Sequence, residues 1–366
     1  MTKLEVLVSL NMIGEIGSVR LGRLLDYFDR LEDIFTASPG QLMRIAGVSQ
    51  KIADRIHAFK KEDLDKELEA AEKLGLEIIT LDDADYPENL KNIPSPPIVL
   101  YVKGNLEEED KSAIGVVGSR RASFYGLSQA EKFSFDLAKD GVTIVSGMAR
   151  GVDTSAHQGA LKAHGRTIAV IGSGFNHIYP AENKELAEKI AQNGAVISEF
   201  PLAAQPLRGN FPRRNRVISG LSLGTLVIEA AQNSGALITA DFALEQGRDV
   251  FCLPGKIDSS LSLGPNKLIQ QGAKLVCSKE DILEELKLPL LRNMPRKEIK
   301  NRLKIPAPDP QDAGLYDLIS DQPVVLDDIL EKTNLNISRA CEILLTLQVK
   351  KLIKELPGKQ FIKNNQ

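Results

Sequence analysis

The stretches AIGVVGSRRASFYG (113–126) and GVTIVSGMARGVDTSAH (141–157) decide the fold of this chain. Each contains a run of β-branched residues that is typical of a buried strand, and each run ends in a glycine-containing turn. The intervening residues, 125–139, carry apolar side chains at helical spacing. Strand, helix and strand predict a right-handed βαβ unit whose two turns lie at the same edge of a parallel sheet. Open α/β sheets bind their ligands at that edge.

The two turns carry residue types that suit an anion-binding site. Glycine allows the backbone to approach a ligand closely, and a helix N-terminus with free N–H groups attracts anions. Asp153 or Thr154 is expected to cap the helix that follows the second turn. The alternative is that these are ordinary turn residues with a solvated rim of arginines. The candidate anion ligands are Gly118, Ser119, Arg120, Arg121, Ser146, Gly147 and Arg150.

The composition limits the classes of protein to consider. A length of 366 residues predicts two or three domains, and a net charge of -3 means that local cationic clusters must attract any polyanion. The three cysteines lack CxxC spacing and nearby histidines, so we expect neither a metal site nor disulfides. The N-terminus lacks the features of a secretory signal, and no apolar run is long enough to span a bilayer. We expect a cytoplasmic protein without membrane contacts.

Further strand patterns follow the βαβ unit and extend the sheet. The third strand (167–171) ends in a Gly172-Ser173-Gly174 turn, and four more strands are predicted up to residue 277. Two β-like runs at 78–81 and 98–102 are assigned to its leading edge. Helical patterns separate the later strands. This alternation predicts an α/β protein with an extended, Rossmann-like, doubly wound and mostly parallel sheet.

Smaller units are predicted on both sides of the sheet. The N-terminal unit repeats a helical hairpin that resembles a SAM or helix-hairpin-helix domain, whose hairpin N–H groups meet a nucleic-acid phosphate. Its few cations leave open that it serves only as a protein contact or a spacer. The candidate recognition helix of the C-terminal unit (338–349) offers only Arg339 as a cation, which favours a protein-binding or degenerate module. The predicted domains are a helical domain (1–73), a Rossmann-like domain (74–288), a basic linker (289–311) and a winged-helix-like domain (312–366).

The densest cluster of cations lies in QPLRGNFPRRNRVISG (205–220), which contains four arginines and no acidic residue. Because this segment follows the fourth strand, we expect a loop that projects over the same sheet edge as the two turns, with Pro212 suited to a helix start. Arginine binds phosphate through a planar fork, and Phe211 and Tyr179 are each expected to stack one base. The alternative is a surface loop whose arginines pair with acidic residues elsewhere. The candidate DNA ligands here are Arg208, Phe211, Arg213, Asn215 and Arg216.

His157, Glu199 and Glu229 are the residues that most resemble catalytic groups. The sequence places no partner beside any of them, so we favour structural roles such as capping, packing or pairing with arginines. A GxSxG match at 220–224 precedes a strand instead of joining a strand to a helix, which excludes a nucleophile elbow. The chain has neither a P-loop motif nor HExxH, and the turn after the first strand lacks GxGxxG.

Several motifs, in chain order, resemble the DprA/Smf family of DNA-processing proteins. They include GVVGSRRAS, SGMARGVDTSAH, FPRRNRVISG and VIEAAQNSGALITADFALEQGRDVFCLPG, and the strong resemblance covers residues 76–287. It implies a Rossmann-like homodimer that binds single-stranded DNA entering the cell during natural transformation. It also implies that the protein protects this DNA and helps to load RecA recombinase.

The resemblance also assigns residues to these roles. In this chain Ala181 follows the Tyr-Pro pair where family members often carry lysine, and Lys184 is the nearest substitute. The family's dimer contact resembles the apolar pattern of Leu268, Ile269 and Leu275. The family's DNA pocket falls on Ser119, Arg120, Ser146, Gly147, Gly172, Gly174, Arg208 and the segment 211–216.

We therefore predict a non-enzymatic, sequence-independent single-stranded DNA-binding protein without a cofactor. Its phosphate contacts are expected from arginines and turn N–H groups. The competing hypothesis is a nucleoside-monophosphate N-glycoside hydrolase, because related Rossmann-like enzymes use a PGGxGTxxE motif. Here the Pro-Gly-Gly start is missing, and three residues instead of two separate Thr225 from Glu229. A third hypothesis is a protein adaptor that uses only its terminal domains.

Overall fold

The structure, a computed structural model, describes residues 1–286, 313–320, 323–333, 335, 337–349, 352–356 and 358–363. The chain separates into two compact units, Met1–Arg292 and Asn293–Gln366. Each unit has its own hydrophobic core. Within the described ranges, no helix is both long and apolar enough to cross a membrane.

Helices at the start of the first unit form the predicted helical hairpins. Thr2, Ser38 and Ser49 each accept a hydrogen bond from a backbone amide in the turn that follows, which fixes three of the helix starts. Aliphatic side chains of these helices pack into one buried cluster that continues onto Tyr101 and Leu202 of the neighbouring α/β part. The helices are α1 (Lys3–Ile13), α2 (Ser18–Tyr27), α3 (Pro39–Leu42), α4 (Gln50–His57) and α5 (Lys61–Lys73).

A sheet of nine strands forms the centre of the first unit. The strands are β1 (Glu77–Thr80), β2 (Val99–Gly104), β3 (Ala113–Val117), β4 (Thr143–Ser146), β5 (Thr167–Val170), β6 (Gly194–Ser198), β7 (Gly224–Val227), β8 (Asp249–Cys252) and β9 (Lys274–Leu275). Their spatial order is β1-β2-β6-β5-β4-β3-β7-β8-β9. In this spatial order, every neighbouring pair from β6 to β9 is parallel. At the other edge, β2 pairs antiparallel with both β6 and β1. This confirms the predicted mostly parallel sheet.

Helices cover both faces of the sheet, as the doubly wound prediction requires. They are α6 (Glu88–Lys91), α7 (Phe124–Lys139), α8 (Val152–Lys162), α9 (Lys184–Gln192), α10 (Asn210–Leu221), α11 (Gly235–Glu245), α12 (Leu263–Gln270) and α13 (Lys279–Glu285). Side chains of α7, α8 and α13 pack on one face, and those of α10, α11 and α12 pack on the other. The strands between them are almost fully buried, which explains their continuous apolar sequences.

The connection from β6 to β7 reverses the direction in which strands are added. The chain places β4, β5 and β6 successively farther from β3, and α10 then returns it to the opposite side of β3. The loops after β3 and β7 therefore diverge. They leave a crevice at the carboxyl ends of these strands, which is the topological switch point where ligands bind in open α/β sheets.

The other edge of the sheet, at β9, contains the predicted dimer contacts. Leu275 lies on this edge strand and is 45% exposed. Leu268 of α12 is buried in the core of its own chain, with Ile269 packed partly against that core. Leu268 therefore packs within its own chain, and the dimer contact at Leu268, Ile269 and Leu275 stays a prediction.

Among its described residues, the second unit has three helices and a small antiparallel sheet. Its strand order is β10-β12-β11, and β11 pairs with β12 in the predicted hairpin. Pro357 in its turn and the predicted basic linker at 289–311 lie outside the described residues. The elements are α14 (Ala313–Leu318), β10 (Val324–Val325), α15 (Leu326–Thr333), α16 (Ile337–Val349), β11 (Ile353–Leu356) and β12 (Gln360–Lys363).

A buried carboxylate joins the helical hairpins to the α/β part of the first unit. Glu67 of α5 accepts hydrogen bonds from the Tyr101 hydroxyl (2.9 Å) and the Leu202 amide (2.8 Å) through the same oxygen. Both donors are buried, so neither has water as an alternative partner. Glu67 therefore fixes α5 on strand β2 and on the segment that precedes α10.

We expect Glu67→Ala to destabilise the protein by about 2–4 kcal/mol, because two buried donors lose their acceptor. Chemical denaturation followed by circular dichroism measures this free energy of unfolding. The matched control is Glu69→Ala on the same helix, since Glu69 forms only an exposed pair with Lys73. Equal stability of the two variants would contradict the structural role of Glu67.

Candidate nucleic-acid interface

The crevice at the switch point opens into a cavity of about 790 Å³. Its walls come from the turn after β3, the first turns of α10 and the segment that leads into α11. Of the predicted DNA ligands, the cavity lining contains Gly118, Ser119, Arg120, Arg121, Phe211 and Asn215. Two segments that are far apart in sequence therefore meet at one edge of the sheet.

A cation–π pair connects these segments. The Arg120 guanidinium carbon lies 5.1 Å from the centroid of the Phe211 ring. The Tyr179 ring lies 5.9 Å from that of Phe211, at an interplanar angle of 53°. A side chain at Gly172 would come within 2.9 Å of the Phe211 ring, so the glycine makes room for it. We refer to Arg120, Tyr179 and Phe211 as the aromatic–arginine cluster.

The cationic segment 205–220 is mostly helical and not the predicted loop. Helix α10 begins at Asn210, and Pro212 occupies its third position, where a backbone N–H has no partner within the helix. The helix distributes the arginines over different environments. Arg208 precedes the helix and is exposed, and it forms no ion pair with any residue that the structure describes.

Arg214 is buried and connects the ends of two strands. Its Nη1 donates to the carbonyl oxygens of Gly147 and Val170, the latter at 2.6 Å, and its Nε donates to Asn215 Oδ1 at 3.1 Å. Burial lowers the pKa of Arg214 to about 10. A side chain at Gly147 would lie 2.3 Å from Nη1. Gly147 therefore makes room for this arginine. The prediction that Gly147 is an open phosphate ligand is not supported by this contact.

Arg216 and Arg213 face Glu199. Arg216 donates to the carbonyl oxygen of Ser95 and to the Glu199 carboxylate, which neutralises its charge inside the protein. The prediction that Arg216 binds phosphate is therefore not supported by its environment. Arg213 lies 3.6 Å from the same carboxylate, stacks on Phe200 at 5.0 Å and keeps a half-exposed side chain. Arg213 is the member of this pair that remains accessible.

Several predicted anion ligands already have partners in the protein. The Ser119 amide donates to the Glu229 carbonyl (2.6 Å), and the Gly174 amide donates to that of Ala204 (2.8 Å). The Ser146 hydroxyl is buried and donates to the Val116 carbonyl at 2.6 Å. The prediction that these turns supply free N–H groups is wrong for Ser119 and Gly174. At Gly118 and Gly174 an added side chain would collide with neighbouring residues, so close packing explains both glycines.

The remaining predicted cations, Arg150 and Lys184, do not contribute to the cavity lining. Arg150 is exposed but pairs with Glu182, so its charge is compensated. Lys184 begins α9 and is exposed. Among the described residues, no ion-pair partner lies within reach of Arg120, Arg121, Arg208 or Lys184. These four side chains carry uncompensated positive charge, and Arg213 adds to it because it shares the single Glu199 carboxylate with Arg216 and stays half-exposed.

The residues that resembled catalytic groups have structural partners. The Glu229 carboxylate accepts hydrogen bonds from the Ser123 amide (2.8 Å) and hydroxyl (2.6 Å) at the start of α7. His157 Nδ1 lies 2.7 Å from the Thr167 hydroxyl, and burial lowers the pKa of His157 to about 3, which keeps the ring neutral. Gly151 occupies the N-cap position of helix α8. The prediction that Asp153 or Thr154 caps this helix is therefore wrong.

The cations of the N-terminal hairpins are also engaged. Lys51 and Arg55 both pair with Glu15. Arg20 and Arg23 donate to the carbonyl oxygens of the second hairpin, at Gly47 and Ala46. This arrangement favours the alternative in which these helices contact protein or act as a spacer.

Comparison with known proteins agrees with this arrangement of domains. Residues 77–287 match the family model of DNA recombination-mediator protein A. The chain belongs to this family. In addition, residues 301–359 match the DprA winged helix domain, and residues 8–61 match a SAM-like helix-hairpin-helix tandem. The predicted family, the winged helix and the helical hairpins are thereby confirmed.

Individual relatives extend over most of this chain. Protein Smf of Synechocystis is 36% identical over 384 residues, which cover 96% of each chain. The crystal structure of DprA from Streptococcus pneumoniae matches with a TM-score of 0.69 and 36% identity, over 79% of this chain and 99% of that one. A structure of DNA processing protein A from Helicobacter pylori, which was determined to show its single-stranded DNA binding mode, matches with a TM-score of 0.52 and 30% identity. The match covers 58% of this chain and 96% of that one.

Two features of this site are not predicted from the sequence. The buried Arg214 is not distinguished there from the exposed arginines beside it. The segment 231–236, which forms the far wall of the cavity, has no predicted role. The signal for this wall was present, because the polar sequence Gln-Asn-Ser-Gly follows a strand directly across the switch point.

Proposed function

We propose that this protein binds single-stranded DNA without sequence preference and does so without enzymatic activity. The observation that carries the proposal is the contact of Arg120 with Phe211 at the carboxyl edge of the sheet. It combines an accessible cation with an aromatic surface, which is the pairing that single-strand binders use for phosphates and bases. Membership in a DNA recombination-mediator family and the DNA-binding H. pylori relative support the same function.

The exposed cations give the strand a path across the site. Arg120, Arg121, Arg208, Arg213 and Lys184 supply phosphate contacts, and these do not depend on base identity. Tyr179 is 42% exposed and lies beside Phe211, so bases stack there. Because the net charge of the chain is -3, this local cluster and not the overall field attracts DNA.

The role that we propose in the cell is protection of DNA that enters during natural transformation, followed by loading of RecA recombinase. The similarity to DNA processing proteins named DprA supports this role. Adding RecA to the protein–DNA complex tests it, since the RecA filament must form faster than on DNA coated with another single-strand binder. The hydrolase hypothesis is less consistent with the site, because its glutamate position, Glu229, is engaged by Ser123.

We further propose a homodimer formed at the β9 edge. Leu275 presents an apolar side chain on a strand with an unpaired edge, and such edges invite pairing with a second chain. Ile269 on α12 is only partly buried. A dimer places two DNA-binding sites in one particle, which strengthens binding to a long strand.

Arg120→Ala is expected to weaken binding of single-stranded oligonucleotides equally for all sequences. The slope of log affinity against log salt concentration is negative, and it is expected to become shallower by about 0.7, the value for one lost phosphate contact. Fluorescence anisotropy over a salt series measures both effects. Lys132→Ala is the matched control, since it removes an exposed cation of α7 that lies outside the site. An unchanged salt slope for Arg120→Ala would count against the proposed site.

Leu275→Glu is expected to convert the dimer to a monomer, because a carboxylate in an apolar contact is poorly solvated. Sedimentation velocity measures the change in mass. Leu74→Glu is the control, since Leu74 is 41% exposed but lies at the end of α5. A wild-type monomer, or a dimer that survives Leu275→Glu, would refute this interface.

A further inference from the structure

Two exposed aromatic side chains in the first turn of α7 have no role in the proposed strand path. Phe124 is 58% exposed and Tyr125 is 49% exposed. Neither ring takes part in an aromatic pair or a cation–π contact within the ranges that the structure describes. Exposed apolar residues are common when they occur singly, whereas contiguous apolar surface marks a site of contact. We refer to these two residues as the α7 aromatic pair.

Hydrogen bonds and close packing hold the turn that carries this pair. The Ser123 hydroxyl caps α7 by accepting a hydrogen bond from the Gly126 amide at 3.1 Å. The Glu229 carboxylate accepts from the Ser123 amide (2.8 Å) and hydroxyl (2.6 Å). A side chain at Gly126 would collide with the same carboxylate, so the glycine lets α7 approach Glu229. Because the turn is already ordered, a ligand of the α7 aromatic pair does not need to order it.

The α7 aromatic pair lies outside the crevice at the switch point. Neither of its residues lines the cavity. Helices α7 and α10 pack on opposite faces of the sheet, so the pair lies across the turn after β3 from Phe211. Partial burial raises the pKa of Tyr125, and the nearby Cys277 and Glu229 raise it further. The Tyr125 hydroxyl therefore stays neutral at physiological pH and adds no negative charge to this surface.

The charges around the α7 aromatic pair favour an anionic ligand. Arg121 lines the cavity and is three residues before the first ring, and no carboxylate that the structure describes pairs with it. Residues 113–130 contain no Asp or Glu. Glu131 pairs with Lys162 at 2.6 Å, and Glu229 is only 6% exposed. Two aromatic rings next to an uncompensated cation suit a ligand that combines planar rings with negative charge.

We propose that the α7 aromatic pair is a second stacking site, where bases of a single strand bind after the strand leaves the crevice past Arg121. This inference rests on the proposed function and adds a direction to the strand path. Arg121 connects the two sites, since it lines the cavity and directly precedes the turn that carries the pair. Stacking on Phe124 and Tyr125 accepts any base, because every base has an aromatic face. The uncompensated arginine and the lack of nearby carboxylates favour this polyanion over a protein as the occupant.

The dependence of affinity on strand length tests the proposal with the full chain. Oligothymidylates of about six and about twenty nucleotides are compared by fluorescence anisotropy, because single-strand sites span about 4–16 nucleotides. The short strand is filled by the crevice, whereas the long strand also reaches the α7 aromatic pair. The double variant Phe124→Ala/Tyr125→Ala is expected to bind the long strand about tenfold more weakly. Its affinity for the short strand is expected to stay at the wild-type value.

The controls separate stacking from effects on folding. Tyr125→Phe keeps the ring and is expected to keep the wild-type affinity for the long strand. Tyr27→Ala is the matched control for loss of an exposed ring, since Tyr27 is 46% exposed at the end of α2. A variant that folds poorly loses affinity for both strands, so the short strand reports on the integrity of the crevice in the same protein.

A second measurement uses the absence of tryptophan from the sequence. Tyr125→Trp places a single indole in the α7 aromatic pair. The long strand is expected to quench its emission by stacking, and the short strand is expected to leave the emission unchanged.

The outcomes separate this inference from the proposed function. Weaker binding of the long strand alone, together with quenching by the long strand alone, supports the second stacking site. Equal losses for both strands, no loss for either strand, or an indole that the long strand does not quench would overturn it. A wild-type chain that binds both strands, with a double variant that binds them equally well, leaves the proposed function intact and assigns the pair to a protein contact. A wild-type chain that binds neither strand refutes the proposed function and this inference together.

Discussion

The buried guanidinium of Arg214 is the interaction on which the candidate DNA-binding surface depends. It occupies the carbonyl oxygens at the ends of β4 and β5, which have no further strand residue to pair with there. It also orients Asn215, and Asn215 in turn holds the first residue of α11. Phe211 lies above this network, 5.9 Å from the Arg214 guanidinium carbon. The Phe211 ring and Arg120 thus lie next to a group of side chains that buried hydrogen bonds hold in place.

Helix α10 explains how one cationic segment performs different tasks. Consecutive residues of a helix point in different directions, so adjacent arginines enter different environments. Arg214 turns inward, Arg216 pairs with the buried Glu199, and Arg213 stays half-exposed at the rim. Only part of the positive charge that is visible in the sequence is therefore available to a polyanion. The accessible part includes Arg120 and Arg121, which line the cavity at the carboxyl edge of the sheet, in a chain whose net charge is -3.

The sequence was sufficient for the features that depend on local patterns. Runs of β-branched residues located the strands, helical spacing located the helices, and the order of these elements predicted the parallel sheet. Features that depend on contacts between distant parts of the chain could not be predicted from the sequence. Gly118 resembled a phosphate-binding glycine, but Val152 fills the space beside it, and no local pattern reveals that contact. Likewise, Arg216 and Glu199 are 17 residues apart and meet only when α10 packs against the sheet.

The most direct test of this account uses the absence of tryptophan from the sequence. Phe211→Trp places a single indole in the aromatic–arginine cluster, where it reports on its own surroundings. The account predicts that single-stranded DNA quenches this emission by stacking, and that added salt reverses the quenching. Binding of labelled single-stranded DNA that leaves the indole emission unchanged would contradict it, since the strand would then lie elsewhere on the protein.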